Sequence, residues 1–228
     1  MNSFIYSPPK DPFLNVLYED DALIVVNKPS GLLSVPGRLP EHQDSIVLRI
    51  RKTNPNAQAV HRLDMDTSGI MVIAKNPQIA GILGKQFIEK TIKKIYLAKI
   101  LGKILSKGQV DVPMRCDLEN RPLQTVDFIQ GKSALTLYER LDFYGESSLV
   151  KLTPLTGRSH QLRVHMAYLK HPILGDRFYG NEKAQTLSQR LCLHACLLQL
   201  KHPLTQQQLL FTSLANFAKD VNPRAWIS

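Results

Sequence analysis

HRLDMDTSGIMVIAKN, residues 61–76, is the stretch on which the reading of this chain turns. Two carboxylates, Asp64 and Asp66, stand in a short polar turn just after Arg62, and the turn runs straight into the apolar segment Ile70–Ala74. An unbroken apolar run of that length, bounded by turn residues, reads as a strand buried on both faces. The acids of the turn have two readings. Asp and Ser side chains bond nearby backbone N–H groups and Gly69 permits a left-handed residue, so they can simply be turn formers. A carboxylate fixed on a rigid element beside a cation also stays ionised at neutral pH, which suits a nucleophile or a general base.

Outward from this turn, strands and helices alternate without a repeating unit. Towards the N-terminus, the apolar run Leu23–Val26 precedes a loop with Pro29, Gly31, Pro36 and Gly37, so strand followed by loop is expected. Asp44-Ser45 caps a short helix, Ile46–Arg51, which Asn54-Pro55 ends. On the other side, Asn76-Pro77 opens a helix of about 14 residues with Ile79, Ile82, Leu83 and Phe87 at near-helical spacing. KKIYLAKIL (93–101) reads as a strand, and 102–130 is dense in Gly, Pro and charge with short strand-like pieces at most. Ala134–Leu141 and Ser148–Leu152 are expected to pair around the turn DFYGES, His160–Leu169 to be helical, and RLCLHACLLQLKHP (190–203) to hold a late strand. The first 15 residues, with Pro8, Pro9 and Pro12, read as an extended arm, and residues 16–228 as one α+β domain.

Charge narrows the partner. Lys and Arg outnumber Asp and Glu by 29 to 19 in 228 residues, a net charge of +10, which points to a polyanion and first of all to nucleic acid. Cys116, Cys192 and Cys196 are odd in number and irregularly spaced, which fits a reducing compartment better than a disulfide framework. The N-terminus lacks the layout of a signal peptide and no apolar run approaches the ~20 residues that span a bilayer, so a cytoplasmic protein with no membrane partner is expected.

Arg158 and Arg163 stand at the start of the third expected helix, where the backbone dipole disfavours cations, so they ask for an anionic partner. Cys192, His194 and Cys196 alternate along a strand with members ~6.6 Å apart, too far to converge on a zinc ion whose bonds are about 2.0–2.3 Å, and no metal is expected. No glycine-rich phosphate loop is present either, so the chemistry expected is hydrolysis or isomerisation without a cofactor.

HRLDMDTSG resembles the signature of the RluA-type pseudouridine synthases, and three further blocks match that family in the same order: NKPSGLLSVPG (27–37), TGRSHQLRVHMAYLKHPILGDRFYG (156–180) and RLCLHA (190–195). The resemblance extends from about Tyr6 to Phe217. NKPSGLLSVPGR and PILGDRFY are closest to members that act on both large-subunit ribosomal RNA and tRNA. The resemblance implies a single catalytic domain with a mixed, largely antiparallel sheet flanked by helices, and a reaction that breaks the bond between base and ribose, turns the uracil and rejoins it through carbon 5. It implies that Asp64 is the catalytic aspartate, that Tyr96 stacks on the target uracil, that Arg163 pairs with the catalytic carboxylate, and that Arg62 enters the space left by the flipped base. Asp66 is then a turn residue and Lys28 a structural one that fixes the pocket loops. Members often carry an N-terminal RNA-binding domain; with the catalytic blocks starting so near Met1, none is expected here, and Lys93, Lys94, Arg158 and Arg177 are the basic groups expected to grip rRNA and tRNA stem-loops. The protein is expected to act as a monomer.

Two rivals share some of these features. A non-catalytic RNA-binding or chaperone protein of the same fold would not need Asp64, Tyr96 and Arg163 together. A glycoside hydrolase needs two acids on opposite sides of the scissile bond, and Asp64 and Asp66 in one turn cannot flank it.

Overall fold

The computed structural model describes residues 5–227; Met1–Phe4 of the expected arm lie outside the described residues. In chain order the elements are β1 (Val16–Glu19), β2 (Leu23–Lys28), α1 (Ile46–Arg51), β3 (Gln58–Ala59), β4 (Ser68–Ala74), α2 (Pro77–Ile88), β5 (Lys93–Leu101), β6 (Lys107–Asp111), β7 (Met114–Cys116), β8 (Gln124–Val126), β9 (Leu135–Tyr144), β10 (Ser147–Pro154), α3 (Gln161–Tyr168), α4 (Glu182–Thr186), β11 (Leu193–Lys201) and β12 (Gln208–Thr212). They form two compact units interleaved in sequence. One runs to Lys93 and takes up Ala195–Ala215 and the residues from Asn222 on; the other is Lys94–His194 with Asn216–Val221.

In the first unit the strand order is β1-β2-β4-β11, with β12 on β11 and β3 on β4. β4 is buried along its whole length, as its continuous apolar composition requires. β2 and β4 run antiparallel from Leu23 opposite Ala74 to Lys28 opposite Gly69. That register sets the site: the loop after Lys28 and the turn before Ser68 leave the sheet at the same end, side by side. Leu23, Val25, Ile70 and Val72 pack under Ile79 and Leu83 of α2.

The caps of α1 and α2 follow the sequence. Ser45 accepts from Leu48 N–H at 3.3 Å and Asn76 from Ile79 N–H at 2.9 Å, with Pro77 in the first turn. The far end of α2 comes sooner than its spacing suggests. Lys90 takes a left-handed φ of 57°, Thr91 N–H donates to Gln86 O at 3.1 Å and Lys90 N–H to Phe87 O at 3.3 Å. This is a Schellman closure with lysine where glycine is usual. Helix α3 ends the same way on Lys170, φ 65°, with His171 N–H donating to Met166 O at 3.0 Å.

The second unit holds β5-β10-β9-β6, with β10 antiparallel to both β5 and β9. Ala98, Ile100, Val150 and Leu152 form a core closed by Leu162 and Met166 of α3. β9 and β10 continue further than expected and meet around Gly145, which turns at φ 59°. The Gly- and Pro-rich stretch contains β6 and the separate hairpin β7-β8.

Gly69 is the most constrained glycine near the turn. Its φ is +116°, and a Cβ placed there would lie 2.3 Å from the carbonyl oxygen of Ala195. Gly69→Ala is therefore expected to lose about 3 kcal/mol or more of stability. A urea or thermal melt of the variant measures this, and a midpoint equal to wild type would contradict it.

Candidate active site

The turn at residues 63–67 hangs from the loop that follows β2. Lys28 is wholly buried, and its ammonium donates to three carbonyls: Pro29 at 2.9 Å, Leu32 at 2.7 Å and Met65 at 2.8 Å. The first two belong to its own loop and the third lies between the two acids. Gly31 N–H also donates to Met65 O at 2.9 Å. The Ser30 hydroxyl donates to Asp66 O at 2.7 Å, and the Ser34 hydroxyl donates to Leu63 O at 2.7 Å while accepting from Leu63 N–H at 3.1 Å. Thr67 N–H closes the turn on Asp64 O at 3.1 Å. The backbone on both sides of Asp64 is thus tied to the NKPSGLLS loop, while the Asp64 and Asp66 side chains stay partly accessible. Lys28 plays the structural part expected of it.

Burial pushes the Lys28 ammonium down to about 7, against the upward pull of the Asp64 and Asp66 carboxylates. Upstream, His61 accepts from Val72 N–H at 3.0 Å and stacks on Phe87 with ring centres 4.7 Å apart, so the approach to the turn is anchored to β4 and α2. Arg62, between this anchor and the turn, is exposed.

In the second unit Tyr96 lies on β5 opposite Leu152 of β10 and packs against the core with part of its ring accessible. Arg163, in the first turn of α3, is 1% exposed, and its Nε and Nη2 fork onto Asp176 at 2.8 and 2.7 Å. This meets the demand for an anion that its helix position makes. Asp176, fully buried, also accepts from Phe178 and Tyr179 N–H at 2.9 and 3.1 Å. The rings of Phe178 and Tyr179 lie 5.0 and 5.2 Å from the guanidinium carbon of Arg163. Sequence reasoning did not single out Asp176, although it stands inside the PILGDRFY block; its signal was an acid thirteen residues beyond a helix-start arginine.

The other basic candidates differ in how available they are. Arg158 is exposed, with Nε donating to Ser133 O at 3.1 Å, and Arg177 is exposed with its guanidinium 4.8 Å from the Phe178 ring centre. Lys93 is partly buried and donates to Trp226 O at 2.8 Å. Lys94 is partly buried and has its pKa lowered by desolvation. Among the described residues no group of three or more His, Cys, Asp or Glu side chains is placed to hold a metal ion, and no helix is long and apolar enough to cross a membrane.

Comparison with known proteins shows the family to which this chain belongs. The model of a family described as RNA pseudouridylate synthase matches residues 22–168, and the chain belongs to that family. It is 50% identical over 214 residues to the dual-specificity RNA pseudouridine synthase RluA of Escherichia coli O6:H1, covering 93% of this chain and 98% of that one. The RluA of Vibrio parahaemolyticus is 50% identical over 204 residues, 87% of this chain and 82% of the other. Among solved structures, human RNA pseudouridylate synthase domain containing 1 superposes with a TM-score of 0.76 at 30% identity, covering 92% of this chain and 87% of that one.

Removing the Lys28 ammonium strands three carbonyls and loosens the turn. Lys28→Met is expected to lower turnover at least ~100-fold, since a displacement of about 1 Å at the reacting group costs that much. Its pH signature has a defined sign. The folded-state pKa lies below the free value of 10.5, so this group's contribution to stability is full above 10.5 and is lost as the pH falls to about 7. The stability difference between wild type and Lys28→Met should therefore grow with pH across that window in denaturant titrations; a difference constant with pH would contradict the burial argument.

Proposed function

We propose that this protein isomerises uridine to pseudouridine in RNA stem-loops, with Asp64 as the catalytic aspartate, and that it accepts hairpins of both large-subunit ribosomal RNA and the tRNA anticodon arm. The observation that carries this reading is the locked turn, which holds one carboxylate rigidly and partly accessible beside the exposed Arg62. The relatives named above as dual-specificity enzymes, matched over almost their full length, support the choice of substrates.

In this reading a uridine is drawn out of its stack, at a cost of a few kcal/mol, and Arg62 fills the gap it leaves. Tyr96 offers a ring face for the uracil, and the charge of Asp64 acts on the nucleoside as the bond from ribose to N1 breaks. The uracil turns, its carbon 5 bonds to the same ribose carbon, and overall one proton passes from carbon 5 to N1. Atoms and electrons balance within the substrate, so the reaction consumes no second reactant. Arg163, pre-aligned by Asp176, is the cation assigned to the catalytic carboxylate. Arg158, Arg177 and the lysines Lys93 and Lys94 supply contacts to phosphate, which position the RNA without reading its sequence. Selectivity then rests on the shape of a short loop whose target base can be splayed out.

Asp64→Asn keeps the shape of the side chain and loses its charge, so it is expected to abolish pseudouridine formation while RNA affinity stays within about twofold of wild type. Asp66→Asn should keep most of its activity. Single-turnover assays on a hairpin substrate decide between the two acids, and the reverse pattern would move the catalytic role to Asp66.

Primer-extension mapping on two isolated hairpins, one from each RNA class, tests the substrate reading. Both should be modified, with affinity falling steeply as salt rises because counterions are released on binding. Modification of one hairpin alone, or a requirement for assembled ribosomal subunits, would refute recognition by loop shape.

A further inference from the structure

The loop that grips the catalytic turn is itself gripped from the N-terminal arm. The Tyr6 hydroxyl accepts from Leu33 N–H at 2.9 Å and donates to Asp44 O at 2.7 Å. Leu33 stands between Leu32, whose carbonyl receives Lys28, and Ser34, whose hydroxyl holds Leu63. Its own carbonyl accepts from Ile46 N–H at 2.9 Å, which ties the same loop to the start of α1. From α1 the Arg49 side chain, 2% exposed, reaches back to the arm: Nη1 donates to Phe13 O at 2.8 Å and Nη2 to Pro9 O at 2.7 Å. Its Nε and Nη2 also fork onto the Asp44 carboxylate at 2.8 and 2.7 Å, so the guanidinium makes four hydrogen bonds in all. The Phe13 ring sits 4.8 Å from the same guanidinium and 4.5 Å from the Lys52 ammonium.

A buried guanidinium is a poor way to gain stability, because desolvation cancels much of the attraction and an apolar group of similar volume often serves as well. What it supplies is fixed geometry, since its planar donors define where each partner must lie. Here those partners are two carbonyls of the arm and the residue that precedes the cap of α1. From the Tyr6 hydroxyl to Asp64 the path is short: a hydrogen bond to Leu33, one peptide link to Ser34, the paired hydrogen bonds of Ser34 with Leu63, and one peptide link more.

We propose that residues 5–13 form a strap that sets the position of the Asp64 turn, with Tyr6 and Arg49 as positioning residues for the reaction. This rests on Asp64 being the catalytic aspartate. The strap acts through the loop that it holds, so its loss is expected to slow the chemical step and to leave substrate binding nearly unchanged.

The test uses the full-length protein and single-turnover kinetics on one hairpin, at a temperature where every variant is folded by circular dichroism. Tyr6→Phe removes one oxygen atom. It is expected to slow the chemical step about tenfold, a fraction of what a displacement of 1 Å costs, with the RNA dissociation constant within about twofold of wild type. Arg49→Lys keeps a cation beside Asp44 but cannot span both arm carbonyls; it should show the same split, and it decides the matter if Tyr6→Phe does not fold. Ser34→Ala interrupts the path further along, so combining it with Tyr6→Phe should cost less than the product of the two separate losses. A chemical step at the wild-type rate in the folded variants, or losses that multiply, would overturn the strap. Asp64→Asn run alongside separates the two claims. If it is inactive while Tyr6→Phe is fully active, the strap alone fails; if it is active, the catalytic assignment fails and takes the strap with it.

Discussion

One ammonium group with three carbonyls around it holds the site together. Lys28 ends β2 opposite Gly69 near the start of β4, and its three N–H bonds are divided between its own loop and the carbonyl at the centre of the HRLDMDTSG turn. Burying this charge is costly, and burial holds its pKa well below the ordinary lysine value, but each donor has a partner and two carboxylates nearby offset part of that cost. The geometry that results is demanding. A displacement of either loop breaks at least one of these bonds, so the position of Asp64 follows from the position of β2.

The same device recurs. The three largest fully buried side chains among the described residues are Arg49, Arg163 and Lys28, all cations in a chain that carries ten more positive than negative charges. Each has fixed partners within the protein: Arg49 holds Asp44 and two backbone carbonyls, Arg163 holds Asp176, and Lys28 holds three carbonyls. The exposed cations, Arg62, Arg158 and Arg177, are of another kind and lie where a polyanion can reach them. A basic composition thus covers two populations, one buried among fixed partners and one exposed at the surface.

Much of this was legible in the sequence because the signals were local. Ser45 and Asn76 announce α1 and α2, the unbroken apolar run announces β4, and KKIYLAKIL coincides with β5 residue for residue. The end of α2 was not legible, since Lys90 closes the helix in a left-handed conformation that glycine or asparagine usually signals. The short elements β1, β12 and α4 carry too few residues for a periodicity to show. Among the candidate residues, the acids of the turn and Arg163 stand out from their sequence blocks, and the buried, carbonyl-bound Lys28 matches its structural reading. Asp176 could not be paired with Arg163, nor Tyr6 with Leu33, because those contacts join residues brought together only by the fold.

Native-state hydrogen exchange on the unmodified protein tests the central claim most directly. If the loop after β2 and the Asp64 turn form one rigid body with the sheet, the amides of Gly31, Leu63 and Thr67, which donate to Met65 O, Ser34 Oγ and Asp64 O, should exchange as slowly as the core amides of β4. Exchange of these three at the rate of the exposed loop residues Glu119 and Asn120 would show that the turn opens independently of the sheet, and that Lys28 does not hold Asp64 in place.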